Sequence, residues 1–152
     1  MAAQDTSELA CVLIPLAEKH LLLPSVTVAE IAPWRRVRKQ PETPDWLLGM
    51  LGWRGENIPV LQFELMNGAP AGTPIKPGRC LIIMNRTRHR GGRAFYALAA
   101  AGLPRIVHLT DEDVTNLPVR LGPAETATVR LGTENAVVPN LSYVEEQLAT
   151  IR

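Results

Sequence analysis

The sequence is poor in the residues that nucleophilic catalysis needs. Only three serines occur, Ser7, Ser25 and Ser142, and none sits in a G-x-S-x-G elbow. Two cysteines, Cys11 and Cys80, lie inside the apolar runs "ACVLIPL" and "RCLIIM", so they read as buried small hydrophobes. The three histidines, His20, His89 and His108, are far apart and show no i, i+4 pairing for a metal. His20 and His108 fall in strand-like runs, where a hydrogen-bonded structural role is expected. Asp111, Glu112 and Asp113 read as the charged first turn of a short helix rather than as metal ligands. Neither G-x-x-x-x-G-K-[ST] nor G-x-G-x-x-G is present. No catalytic residue, metal or cofactor is expected, and the chain is not read as an enzyme.

Charge of one sign and long apolar runs are also missing. A formal net charge of +1 gives no overall field toward nucleic acid or anionic lipid. No apolar run approaches the ~20 residues that span a bilayer. The start "MAAQDTSEL" has neither the basic nor the apolar region of a signal peptide. These features lead to the expectation of a cytoplasmic protein without membrane insertion. The 152 residues, with 46% hydrophobic and 20% charged content, suffice for one domain with a real core.

Turn residues, by contrast, are abundant. Thirteen prolines and eleven glycines cut the chain into short runs. These are "CVLIPLA", "HLLLP", "WLLGML", "IPVLQF", "CLIIMN", "AFYALAA", "RIVHL", "ATVRLG" and "NAVVPNL". Many short runs with frequent turn signals predict a mainly β protein, a sandwich or small barrels, built in two halves. Two short helices are expected. One covers "SVTVAEIA", Ser25 to Ala32, stopped by Pro33. The other is "SYVEEQLATI", with Ser142 and Glu145 spaced as a capping box and Tyr143, Val144, Leu148 and Ile151 as its packing stripe. "LTDEDVTNLP" offers a helical turn at most, with Thr110 as cap and Pro118 as its end. "RKQPETP" and "NGAPAGTPIKPG" read as loops.

The basic residues are lopsided, thirteen arginines to three lysines, and arginine suits bidentate pairing with carboxylates and phosphates. One cluster is "WRRVRK", with Arg35, Arg36, Arg38 and Lys39 beside Trp34. The other, "NRTRHRGGR", carries Arg86, Arg88, Arg90, Arg93 and His89 around a glycine pair that signals a β-hairpin tip. Such a tip is either a solvated turn or a secondary basic patch for phosphate or an acidic partner.

The stretch "LLGMLGWRGENIPVLQF", Leu47 to Phe63, joins two strand-like runs through Trp53-Arg54-Gly55-Glu56-Asn57. Gly55 is needed for a tight turn there and Asn57 is tolerated, but a turn needs neither a tryptophan nor a guanidinium. This stretch, with Pro44, Gly49, Arg54, Gly55, Ile58, Pro59 and Val60 in place, resembles the central signature of CheW-like domains. Upstream, Val28, Glu30 and Ile31 resemble the family's V-x-E-I segment. Downstream, "ATVRLGTENAVVPNLSYVEEQLA" is similar to its closing hairpin and terminal helix. The resemblance covers residues 9–151 as a single CheW-like domain, with residues 1–8 as a flexible N-terminus.

The resemblance implies two interlocked five-stranded SH3-like β-barrels with a groove between them, plus a C-terminal helix. It implies a scaffold that docks chemoreceptor cytoplasmic tips and the regulatory domain of a CheA-type histidine kinase, and pairs with other CheW-like proteins. It places Trp53, Arg54 and Gly55 in the partner-binding surface, with Val28 and Ile31 lining the groove. Trp53 packing across the hairpin and Arg54 bracing the turn stand as the alternative. Three positions usually acidic in the family are not acidic here: Gln62, Ala101 and Asn140. The chain is most similar to the ChpC-type accessory adaptors of type IV pilus systems, which control twitching motility. A nucleic-acid or anionic-surface module using the arginine clusters, and a small-molecule sensor using the groove, are the competing readings.

Overall fold

The computed structural model describes residues 8–70, 78–87 and 94–151. Among them are eleven strands: β1 (Leu9–Pro15), β2 (His20–Pro24), β3 (Val28–Pro33), β4 (Leu47–Trp53), β5 (Glu56–Leu61), β6 (Cys80–Asn85), β7 (Phe95–Ala100), β8 (Arg105–Leu109), β9 (Val114–Leu117), β10 (Glu125–Leu131) and β11 (Glu134–Pro139). Two α-helices are short, α1 (Phe63–Met66) and α2 (Leu141–Ala149). The strands form two sheets, a six-stranded one ordered β8-β1-β2-β11-β10-β9 and a five-stranded one ordered β3-β6-β7-β5-β4. The chain begins the first sheet with β1 and β2, builds the whole second sheet, and then returns to finish the first. That path interlocks the halves.

Each half has its own core, and a third apolar cluster joins them. Cys11, Leu13, Leu22, Val129 and Ala136 pack inside the first half. Leu51, Trp53, Ile58, Val60, Leu81, Ile83 and Ala97 pack inside the second. Between the sheets lie Val12, Ile14, Leu21 and Leu23 from one side and Leu61, Ile82, Met84, Tyr96 and Leu98 from the other. Side chains alternate along a strand, so β1 and β6 send consecutive residues into different cores. This is why "CVLI" and "CLIIM" are apolar without a break: both faces are buried.

The second half closes through the segment after β3. Arg38 exchanges both backbone bonds with Met50 of β4, at 3.0 and 2.9 Å. Gly49 makes the approach possible. Its φ is +153°, and a Cβ there would stand 2.5 Å from the Arg38 carbonyl oxygen.

The nine apolar runs all become strands, but three local expectations are corrected. "SVTVAEIA" is not a helix: Ser25–Thr27 is a single 3₁₀ turn, and Val28–Pro33 is β3, paired with β6. The β-branched residues Val26, Thr27, Val28 and Ile31 favour the extended form, and pairing with a doubly buried strand settles it. Val114–Leu117, expected as the end of a helical turn stopped by Pro118, is β9, paired with β10. Its preceding turn is capped as expected, with Asp113 accepting from both the amide and the hydroxyl of Thr110 at 2.8 and 3.0 Å.

Helix α2 starts two residues earlier than the Ser142 box implies. Asn140 is the N-cap, its Oδ1 accepting from the Tyr143 amide at 3.1 Å. Glu145 does not return to the helix start. It is buried, 1% exposed, and accepts from the amide and hydroxyl of Thr87 at 2.9 and 2.6 Å. The helix packs through Leu141, Tyr143, Val144 and Leu148 against the inter-sheet cluster.

Candidate functional site

The β4–β5 hairpin turns on two residues, Arg54 and Gly55, between the paired Trp53 and Glu56. Both have positive φ, +47° and +79°. Positive φ at both central positions is the signature of a type I′ turn, whose twist matches the flanking strands. Glycine accepts this freely, whereas an arginine is uncommon there. Asn57, expected to share the turn, is instead in β5, where its Oδ1 accepts from the Arg38 guanidinium at 3.2 Å.

Two contacts hold Arg54 in place, and a third fixes the indole beneath it. Its Nη2 lies 2.9 Å from Glu30 Oε1, and its guanidinium sits 4.8 Å from the centre of the Trp53 ring. Trp53 Nε1 donates to the same Glu30 oxygen at 3.3 Å. The Trp53 ring is itself buried, 7% exposed, and meets Phe95 edge-on at 4.8 Å between ring centres. Trp53 is therefore a packed floor in the second half's core, and Arg54, with 70% of its side chain exposed, is the group offered to solvent. A guanidinium over an indole, beside one carboxylate, retains donors for a further acceptor.

Val28 and Ile31 lie on β3, an edge strand. Val28 is opposite Met84 and Ile31 opposite Ile82, and both partners belong to the inter-sheet cluster. Val28 packs against that cluster, while Ile31 is left 41% exposed. The other sheet repeats the arrangement. On its edge strand β8, Ile106 is opposite Val12, another member of the cluster, and is 57% exposed. Each sheet thus carries an apolar residue past the covered part of the shared face. Ile31 and Ile106 are exposed apolar residues on edge strands whose paired neighbours belong to the inter-sheet core.

Two contributors escaped the sequence reading. Glu30 was visible in the V-x-E-I segment, but not as the carboxylate that holds Arg54. Ile106 was visible only as one residue of "RIVHL", because an edge position shows itself only once strands are ordered.

The arginine clusters divide. In "WRRVRK", Arg35 donates to the Gly52 carbonyl and Arg38 to Asn57, so two of its four cations brace the hairpin. Of the second cluster, Arg86 is described, and its amide donates to the Ala94 carbonyl at 3.0 Å, between the antiparallel β6 and β7. Arg88, Arg90 and Arg93, with the glycine pair expected to form the tip, lie outside the described residues. So do residues 1–7, to which most of the expected N-terminal tail belongs.

The three non-acidic family positions have defined places. Gln62 is buried and donates to Glu64 Oε1 at 2.6 Å. The Ala101 amide donates to the Pro15 carbonyl at 2.9 Å, where the chain crosses back to the first sheet. Asn140 caps α2. A seam cavity beside Ala17, Gln62, Glu64 and Ala99–Ala101 measures about 10 Å³, room for one water at most. Cys11 and Cys80 are free and buried, and burial raises both thiol pKa values. Among the described residues no group of His, Cys, Asp and Glu is placed to hold a metal, and no helix is long and apolar enough to cross a membrane.

Comparisons with known proteins agree with one another. The chain is 24% identical over 133 residues to the chemotaxis protein CheW of Helicobacter pylori, covering 88% of this chain and 77% of that one. Its fold is similar to the crystal structure of the scaffolding protein TtCheW from Thermoanaerobacter tengcongensis, with a TM-score of 0.70 and 18% identity. That superposition covers 88% of this chain and 89% of the other. Residues 10–146 match the CheW-like domain family over nearly the whole length of the described fold, and the chain belongs to that family.

Proposed function

We propose that this protein is a non-enzymatic scaffold in a chemosensory pathway, docking chemoreceptor cytoplasmic tips and the regulatory domain of a CheA-type histidine kinase. The observation that carries the reading is Arg54. An exposed guanidinium held at a sparsely populated backbone conformation, over a buried indole and beside a single carboxylate, costs free energy that a plain hairpin turn would not spend. Tryptophan and arginine are also the residue types enriched at interface hot spots. The names of the relatives, a chemotaxis protein and a scaffolding protein, support the same reading.

Ile31 and Ile106, both exposed beside the inter-sheet cluster, are read as the two sides of an apolar mouth, and that mouth supplies the second element. Ile31 and Ile106 can bury apolar surface against a partner helix, while Arg54 makes a charge-assisted bond to a carboxylate or carbonyl at its side. Contacts of this kind are modest singly and gain avidity in an array. Gln62, Ala101 and Asn140 in place of acids support an altered partner set, that of the ChpC-type accessory adaptors of type IV pilus and twitching systems. Ala101 and Asn140 are partly exposed, whereas Gln62 is buried, and an acid lost from an exposed position changes pairing specificity more readily than fold.

Amide chemical-shift mapping tests the reading. Addition of a receptor-tip fragment, and separately of the kinase's regulatory domain, should move resonances of β3, β8 and the Arg54 turn. Shifts confined to other surfaces, or none, would count against it.

A further inference from the structure

The inter-sheet cluster is apolar, and apolar contact is not directional. Polar bonds add direction to the angle that packing sets between the two halves, as those from Thr87 to Glu145 of α2 do. A set of polar bonds surrounds α1, the short helix that follows β5 of the second sheet. The Asn67 side chain, just past α1, bonds the first sheet twice. Its Oδ1 accepts from the Ala124 amide at 2.9 Å, and its Nδ2 donates to Glu125 Oε2 at 2.8 Å. Glu125 also accepts from Lys19 Nζ at 2.9 Å and from the Gly122 amide at 2.7 Å. Glu64 Oε2, on α1, accepts from the Ala17 amide at 3.1 Å. Gly122 makes room for the arrangement, since a Cβ there would lie 2.5 Å from Asn67 Oδ1.

The position of these bonds matters as much as their number. In the sheet orders, β3 and β8 are end strands, and they carry Ile31 and Ile106. Strands β5 and β10, from which α1 follows and which Glu125 begins, each stand one place in from the opposite end. In each sheet, the strand next to the bonds and the strand carrying Ile31 or Ile106 lie toward opposite ends of the strand order. Phe63 and Met66 of α1 are buried in the inter-sheet cluster, so the helix is seated as well as bonded.

We infer that Asn67 and Glu125 form a clasp that fixes the angle between the two sheets and so sets the width of the mouth at the far edge. The clasp adds direction to the cohesion of the apolar seam. Loosening it lets the sheets pivot about the covalent crossings without unfolding either one. The consequence for partner affinity rests on the docking reading above; the mechanical claim does not.

Residual dipolar couplings of backbone amides test the clasp in the free protein, with no partner present. In the wild type, couplings from both sheets should fit a single alignment tensor. In Asn67→Ala, each sheet should still fit its own geometry, but one common tensor should no longer fit both. A common tensor that still fits both sheets in Asn67→Ala would overturn the inference. If Asn67→Ala does not fold, the same criterion applies to Gly122→Ala, which displaces the Asn67 side chain. Loss of the common tensor with partner binding unchanged would keep the clasp and detach it from docking. Failure of docking in the wild type would leave this result standing.

Discussion

One oxygen of Glu30 holds both Trp53 and Arg54: Oε1 accepts from Trp53 Nε1 at 3.3 Å and from Arg54 Nη2 at 2.9 Å. A partner carboxylate that reaches Arg54 must share the guanidinium with Glu30 or displace it. Glu30→Gln removes the competing charge and keeps an acceptor. An exposed pair of this kind is worth about 0–1 kcal/mol, so affinity for an acidic partner should rise by up to about fivefold. Calorimetric titration measures it. Weaker binding would mean that Glu30 aims Arg54 rather than restraining it.

Trp53 should carry much more stability than Arg54, whose ion pair is exposed. Truncating a buried tryptophan costs about 3–5 kcal/mol, so Trp53→Ala should move the urea midpoint sharply downward. Trp53→Phe, which keeps an aromatic against Phe95 but loses the bond to Glu30, should cost much less. Equal losses for the two variants would contradict the role of the ring as a packed floor.

Glu125 should make the fold acid-sensitive. Burial disfavours its charge, but the Gly122 amide, Lys19 and Asn67 outweigh burial and lower its pKa. A carboxyl whose folded value lies below its unfolded value of about 4.3 binds more protons when unfolded. Its contribution is fully present above that value and is lost as pH falls through the folded one. Urea midpoints measured from pH 6 down to pH 3 should fall, and Glu125→Gln should flatten that fall. An unchanged slope in the variant would place the acid sensitivity elsewhere.

Asn140 separates cap from charge. Asn140→Ala removes the side-chain acceptor for the Tyr143 amide and should cost about 1 kcal/mol. Asn140→Asp restores the acid usual in the family and keeps the cap. It should leave stability equal or higher by up to about 1 kcal/mol, since a negative charge suits a helix N-terminus. A change in partner preference with stability held would mark this position as one that selects partners.

The sequence displayed its strands wherever burial wrote a pattern. "CVLI" and "CLIIM" are legible because both faces of β1 and β6 are covered, which leaves no polar residue in the run. β3 was read as a helix because its alternation is broken by a bulge between Val28 and Glu30, and alanine and glutamate suit a helix as well. β9 was missed because "VTNL" buries little and exists through its pairing with β10. Glu145 matched a capping box in spacing, yet its buried carboxylate is taken by the amide and hydroxyl of Thr87, 58 residues away. Arg54 and Ile31 were found through the family pattern. Ile106 and the Asn67–Glu125 clasp depend on which strands end a sheet and which loops meet, and a linear reading holds no record of either.

The central claim is that the Arg54 turn is a docking group, and calorimetry of wild type against Arg54→Glu tests it most directly. Each is titrated with the receptor tip and with the kinase's regulatory domain, and circular dichroism confirms that the variant keeps its fold. Loss of an exposed surface pair should change stability by no more than about 1 kcal/mol. The account predicts binding by the wild type to at least one partner and its abolition in Arg54→Glu. Undiminished binding by a folded Arg54→Glu variant would contradict it.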